Sequence, residues 1–330
     1  MPDLMLSVVA PCFNEQEVLP EFHRRLAAAC AGLKGGYEII LVNDGSKDRT
    51  WDLMRDLAQR DPHLVLVDLS RNHGHQLALT AGLSLCRGRR ILIIDADLQD
   101  PPELLEAMMQ LMDRGVDVVY GQRRQRHGET PMKLMTAAAF YRLIERLTDT
   151  PIPRDTGDFR LISRRVLEVL LAMPERHRFM RGMVSWVGFR QEPLLYDRDR
   201  RYAGSTKYPL RRMIRLALDA VTAFSIKPLA LASYIGFLTG VLGLLILGYS
   251  LVDWAVGGTI QGWTSTIVAV LVLGSVQLFV LGIMGEYLGR LYEQSKGRPL
   301  FIIRDVVRTV APPDEPAPPP ARESPPAADD

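Results

Sequence analysis

Cysteine is scarce. The three present, Cys12, Cys30 and Cys86, form an odd set with no CxxC spacing, which argues against a disulfide framework or a thiolate zinc site. They read as small buried thiols in a reducing compartment. An excess of one charge is missing too: 40 Lys and Arg stand against 38 Asp and Glu, a formal net charge of +2. That balance disfavours a nucleic-acid partner, so any anionic ligand has to be met by local cations. The start, Met1-Pro2-Asp3-Leu4, lacks the basic segment and long apolar stretch of a cleaved signal peptide, and the first half is expected to stay cytoplasmic. No GxGxxG follows the first apolar run and no GxxxxGK[ST] occurs, so the dinucleotide and P-loop fingerprints are missing.

What is there begins with alternation. Short apolar runs at residues 6–11, 37–42, 64–69, 90–94 and 117–120 read as strands, each nearly continuous in apolar residues, as expected when both sheet faces are covered. Helical patterns lie between them at 17–33, 50–59, 76–86 and 102–114. This order predicts an α/β fold built on a mainly parallel sheet with helices on both faces. The last helix opens on Asp100-Pro101-Pro102-Glu103, which combines a cap, N-terminal prolines and an early acid.

Hydrophobic residues make up 47% of the chain, concentrated between Leu229 and Met284. Residues 229–252 carry no charge and as a helix reach about 36 Å at ~1.5 Å per residue, enough for a hydrocarbon core of ~30 Å. Thirteen of them are Leu, Ile, Val or Phe, so insertion is favoured by several kcal/mol at ~0.3–0.6 kcal/mol each. Residues 264–285 are equally uncharged, and the turn-rich Gly257-Gly258-Thr259-Ile260-Gln261-Gly262 separates the two. Two antiparallel transmembrane helices over 229–288 are therefore expected, with a short outer loop at 253–263 flanked by Trp254 and Trp263. Arg211, Arg212, Arg215 and Lys227 precede the pair, Arg290, Lys296 and Arg298 follow it, and no Lys or Arg lies between. The expected address is the inner (plasma) membrane with both termini cytoplasmic. Upstream, Leu210, Met213, Ala217, Val221 and Phe224 share a helical face opposite Arg211, Arg215 and Asp219. Residues 208–228 thus suit an interfacial helix in the headgroup plane, the alternative being a helix packed on the soluble domain. Residues 1–207 form the expected catalytic domain, 289–311 a cytoplasmic C-terminal segment, and the Pro-, Ala- and acid-rich 312–330 a disordered tail.

The fourth strand ends in Asp95-Ala96-Asp97-Leu98-Gln99-Asp100, placing several oxygen ligands at the carboxyl edge of a parallel sheet, where such folds bind ligands. A hard cation such as Mg²⁺ needs only one or two carboxylates when substrate phosphates complete its shell, and paired acids repel unless a cation or donors stand between them. The bland alternative makes these acids helix caps and solvated surface. The second strand ends in Asn43-Asp44-Gly45-Ser46-Lys47-Asp48, where Asp44 is able to accept hydrogen bonds from a base or ribose and Gly45 lets the chain turn close to a ligand. An ordinary Asp-Gly turn is the alternative. Pro11-Cys12-Phe13-Asn14-Glu15 and Ser70-Arg71-Asn72-His73-Gly74 bring polar groups to the same rim. His73 and His75 alternate, but without a third nearby ligand this is a weak metal signal.

Taken together, residues 7–15, 42–48, 69–74, 95–102 and 156–161 resemble the family-2 inverting glycosyltransferases of GT-A fold. Within them the resemblance is greatest to the polyprenyl-phosphate branch that includes bactoprenol glucosyltransferases and dolichyl-phosphate mannose synthases, and it covers about residues 5–305. It implies a GT-A Rossmann-like domain followed by an interfacial helix and two transmembrane helices. By position it implies that Asp44 is the nucleotide-binding acid, with Pro11, Asn14, Glu15, Asn72, Asp95 and Ala96 around the donor. Asp95 and Asp97 look like the DxD pair that holds Mg²⁺ or Mn²⁺ and the donor diphosphate, with Gln99 a further ligand. The segment Thr156-Gly157-Asp158-Phe159-Arg160-Leu161 is similar to the second acidic motif, which implies catalytic roles for Asp158 and Arg160 beside Asp97. Arg123, Lys133, Ser205 and Lys207 fall where the lipid phosphate is received.

The implied partners are a nucleotide sugar, a polyprenyl phosphate, the bilayer, and further copies of the chain, a tetramer by resemblance, with the strand-like 300–304 as a route of self-association. A phosphate acceptor has a second pKa near ~6 and is already largely ionised at neutral pH, so Asp158 is expected to orient Arg160 or the acceptor rather than remove a proton. Gln-x-x-Arg-Trp, seen in processive synthases, does not follow Asp158, which favours a single transfer. Glucose from UDP-glucose is the preferred donor sugar; mannose, galactose, N-acetylglucosamine and an aminoarabinose derivative stay open. So does a non-catalytic membrane scaffold, which the intact acids disfavour.

Overall fold

The computed structural model describes residues 4–124, 153, 156–197, 227–256 and 262–308. Among them, eight strands form one sheet in the order β7-β5-β6-β4-β1-β2-β3-β8. These are β1 (Leu4–Cys12), β2 (Gly36–Asn43), β3 (Leu64–Leu69), β4 (Arg90–Ile93), β5 (Val118–Arg123), β6 (Thr156–Ser163), β7 (Gln191–Tyr196) and β8 (Ile303–Arg308). The pairs β1/β2, β1/β4, β2/β3 and β5/β7 are parallel, whereas β6 runs antiparallel between β4 and β5, and β8 runs antiparallel along β3. The sheet is thus mixed, with four of its seven pairings parallel, in keeping with the mainly parallel sheet expected. The five strands expected from sequence are present with boundaries moved by a few residues; β6 and β7 are additions, and β8 extends the strand-like 300–304 toward the C-terminus.

Apolar alternation on the central strands feeds two cores, one per face. Leu6, Val8, Ala10 and Cys12 of β1 pack with the helices α1 (Leu19–Ala31), α2 (Thr50–Ala58) and α4 (Leu105–Asp113). Val9 faces the other side, against α3 (His75–Leu83), α5 (Arg164–Ala172) and α6 (Met180–Trp186). Each helix presents one apolar stripe to the sheet, so burial rather than propensity holds these short helices. A 3₁₀ turn, Pro102–Leu104, precedes α4, and neither has a side-chain cap. Asp100, expected to cap here, is instead buried and accepts a hydrogen bond from the Tyr196 hydroxyl.

Two long helices follow, α7 (Lys227–Ala255) and α8 (Trp263–Ser295). Each contains a window long and apolar enough to cross a membrane, Lys227–Tyr249 and Val272–Ser295, with 6% and 0% of the window buried in the chain. A soluble core helix would be covered; these are not. The chain then returns to the sheet. β8 pairs with β3 of its own chain, Ser70 N donates to Ile302 O at 2.9 Å, and Arg304 Nη1 reaches Asp68 Oδ2 at 3.1 Å. The segment read as a route of self-association therefore makes its strand pairing within the chain. At the base of α8, His177 meets Glu293 at 3.1 Å and Gln294 donates to Pro174 O at 3.0 Å, so the α5–α6 loop abuts the end of the hairpin. Residues 208–226, the loop at 257–261 and the tail lie outside the described residues.

Candidate active site

β1, β2, β3 and β4 all end at one edge of the sheet, and because β6 runs the opposite way its first residues arrive at the same edge. A cleft of about 370 Å³ opens there, lined by Pro11, Cys12, Phe13, Glu15, Asp44, Asn72, Gly74, His75, Asp95, Ala96 and Asp97. The expected donor residues other than Asn14 line it. Asn14 instead staples two loops: its Oδ1 accepts from Lys47 N at 2.8 Å and its N–H donates to Ser46 Oγ at 3.1 Å.

Asp44 organises the base of the cleft. Its two oxygens accept the N–H groups of His73 (2.7 Å) and Gly74 (3.0 Å), and Asn72 Nδ2 donates to its carbonyl at 3.0 Å. Burial outweighs these donors and pushes its pKa up. Gly45 makes the approach possible: at φ 64 a Cβ would lie 2.5 Å from Asn72 N. Leu98, buried inside the Asp95–Asp100 segment, also has positive φ, 57. Held strain of this kind, on the order of 1–3 kcal/mol, collects at ligand sites.

The acids meet cations that the sequence did not single out. Asp158, at the start of β6 and buried, accepts from Arg181 Nε at 2.9 Å on Oδ1, and from Gln76 Nε2 at 2.9 Å and His75 Nε2 at 3.2 Å on Oδ2. Burial opposes ionisation, but Arg181 and His75 outweigh it and hold this carboxyl far below the usual range. Arg160 does not hydrogen-bond Asp158; its Nη2 donates to Gly157 O at 2.9 Å, and burial brings its pKa down to about 10. Of the two arginines it is thus Arg181 that Asp158 holds by a hydrogen bond, its Nη1 also donating to Thr156 O at 3.1 Å, while Arg160, which the expectation named with the acceptor, acts on Asp158 through charge. Gln76 ties the same group to α6 by accepting from Met180 N at 2.9 Å. The only sequence hint of His75 was the His-x-His spacing, and Arg181 sat in Arg176-His177-Arg178-Phe179-Met180-Arg181, which reads as a surface basic run.

Asp95 faces the cleft next to this group. Its Oδ1 has no hydrogen-bond partner, His75 Nε2 standing at 3.5 Å, too far for a good one. Burial pushes its pKa up to about 6, against the pull of His75 and with further push from Asp158, Asp100 and Asp97. An oxygen without a hydrogen bond, facing the His75 ring across 3.5 Å and close to Asp97, Asp100 and Asp158, fits a divalent cation. No group of three or more His, Cys, Asp or Glu among the described residues is arranged to hold one alone. Asp97 Oδ1 accepts from Gln99 N at 3.1 Å, folding the motif back on itself. Arg123, at the end of β5, is half-buried with an Nε that has no hydrogen-bond partner. Lys133, Ser205 and Lys207 lie outside the described residues.

Comparison with known proteins follows this division of the chain. Residues 7–171 match Glycosyl transferase family 2, and residues 227–291 match the GtrB C-terminal hairpin. The uncharacterized glycosyltransferase YkcC of Bacillus subtilis (strain 168) is 47% identical over 304 residues, 91% of this chain and 94% of the relative. The bactoprenol glucosyl transferase of Shigella phage SfV is 38% identical over 303 residues, 92% and 99% of the two chains. Among solved structures, mannosyl-3-phosphoglycerate synthase from Rubrobacter xylanophilus overlaps with a TM-score of 0.45 at 19% identity, over 67% of this chain and 72% of that one.

Proposed function

The chain belongs to glycosyl transferase family 2, and from that premise we propose that it transfers a single hexose from a nucleotide diphosphate sugar to the phosphate of a polyprenyl lipid at the cytoplasmic membrane face. The observation that carries this reading is the acid-lined cleft, with an Asp95 oxygen that makes no hydrogen bond, in the same chain as an uncovered apolar hairpin whose base abuts the domain. Relatives named bactoprenol glucosyl transferase, 38% identical over nearly the whole chain, supply the acceptor class and make glucose from UDP-glucose the first donor to try.

Asp44, Asn72 and the rim around Pro11 and Glu15 would receive the nucleotide, the second lone pairs of the Asp44 carboxylate staying available beside its two backbone N–H bonds. Asp95, Asp97 and Gln99 would hold Mg²⁺ or Mn²⁺. Bound there, the ion supplies positive charge where negative charge develops on the departing diphosphate. A lipid phosphate oxygen forms the new bond to the anomeric carbon as the bond to the diphosphate breaks, with inversion, and the nucleoside diphosphate leaves. No proton has to be removed from a phosphate that is already ionised, with a second pKa of about 6. Asp158 is unsuited to that task in any case, since its oxygens are taken up by three donors. Its work is to hold Arg181 and His75 beside the cleft, where they offset the acids. Arg123, with Lys133, Ser205 and Lys207, would receive the acceptor phosphate.

Purified protein should be incubated with a panel of nucleotide sugars and undecaprenyl phosphate, with and without EDTA. A lipid-linked monosaccharide formed only with metal supports the reading; no product across the panel overturns it.

A further inference from the structure

The geometry points to Tyr196 and Asp100 as positioning residues that aim Arg123 at the acceptor phosphate, an inference that rests on the placement of that phosphate proposed above. Asp100 closes the Asp95–Asp100 segment, is 1% exposed, and accepts a hydrogen bond from the Tyr196 hydroxyl. The hydroxyl in turn interacts with the Arg123 side chain. With its O–H given to Asp100, the Tyr196 hydroxyl oxygen is left to accept from Arg123, whose Nη2 stands with Asp100 Oδ2 around Gly157.

Packing fixes the relay from both sides. The Tyr196 ring stands edge-on to Phe159 at 5.8 Å, and Gly121 leaves room for both, because a Cβ there would lie 2.7 Å from the Phe159 ring and 2.9 Å from the Tyr196 ring. Gly157 backs the far end: a Cβ there would lie 3.3 Å from Arg123 Nη2 and 3.6 Å from Asp100 Oδ2. A buried acid and a buried phenol are costly unless they bond something; here the phenol donates to the acid, and the half-buried Arg123 stands beside the pair at the same sheet edge as the cleft. The segment that carries Asp95 and Asp97 therefore also sets the position of Arg123, so the donor and acceptor sides share one frame.

Tyr196→Phe removes the hydroxyl and keeps the ring. In the full-length detergent-solubilised protein it should raise the KM for undecaprenyl phosphate about tenfold, the scale of one hydrogen bond to a charged group, with the donor KM and thermal midpoint near wild type. Arg123→Ala should do the same, and the double variant should add little to either single one. Asp100→Asn gives a second route to the same shift should Tyr196→Phe lower the thermal midpoint. A raised acceptor KM in Arg123→Ala with wild-type values in both Tyr196→Phe and Asp100→Asn overturns the relay and leaves the phosphate placement standing. An unchanged acceptor KM in Arg123→Ala overturns both. A donor KM that rises as much as the acceptor KM also defeats the relay.

Discussion

The Asp158 carboxylate carries three donors on two oxygens, and that count decides how its variants behave. Asn offers one acceptor oxygen, so its NH₂ has to face Arg181 or the Gln76 and His75 pair. Asp158→Asn should therefore lose most activity, as should Asp158→Ala, and both should be destabilised by about 3 kcal/mol, since a cation is left beside a buried vacated site. The sign of the pH dependence follows from the depressed pKa. Stability from this ionised group is fully present above the ordinary carboxylate pKa of ~3.9 and is lost as pH falls through its folded value. Chemical denaturation of wild type and Asp158→Asn should accordingly show a gap at pH 7 that narrows in acid. A gap independent of pH, or near-normal turnover in Asp158→Asn, would contradict a held carboxylate. At this scale the sequence was informative about acids and poor about their partners. Asp44, Asp95 and Asp97 stood at strand ends in recognisable patterns, whereas Gln76 and Arg181 meet Asp158 across 82 and 23 residues of chain, and no local pattern records such a pairing.

Secondary elements divide along the same line. β1 to β4 were readable because both their faces are covered and their sequences are almost wholly apolar. β6 is as deeply buried, but its Thr156-Gly157-Asp158-Phe159-Arg160 start places two charges in the sheet, which breaks the apolar pattern that signals a covered strand. β7 was missed, and β8 read only in part as the strand-like 300–304, for the opposite reason: as edge strands they are half-exposed and set Gln191, Glu192, Arg304 and Asp305 among their apolar residues. The edge position of β8 has a measurable consequence. Its bonds to β3 and the Arg304–Asp68 pair, with Arg304 largely exposed, should be worth less than the doubly covered β1/β2 and β1/β4 ladders. Hydrogen exchange in detergent should find amides of residues 303–308 exchanging well before those of residues 6–10. Equal protection would mean that β8 opens only with the whole sheet.

At the scale of the whole molecule, β8 constrains the topology of the hairpin. The chain leaves the domain before α7 and rejoins the same sheet after α8, pairing with β3. If α7 and α8 each cross the bilayer, as their uncovered apolar windows suit, the segments before and after them have to lie on the same side, with the loop between them opposite. That step needs no charge rule; the basic residues only choose which side, and Lys227 before the pair with Arg290, Lys296 and Arg298 after it favours the cytoplasm. The native thiols leave the test clean, because Cys12, Cys30 and Cys86 are all buried. In intact cells, a membrane-impermeant maleimide should label Gly258→Cys in the loop and leave Glu175→Cys, beside the base of α8, unlabelled until the cells are opened. Labelling of Glu175→Cys in intact cells with Gly258→Cys protected would invert the orientation. Both labelling from outside would remove the bilayer crossing altogether, and with it the reason for an acceptor that has to be met at a lipid surface.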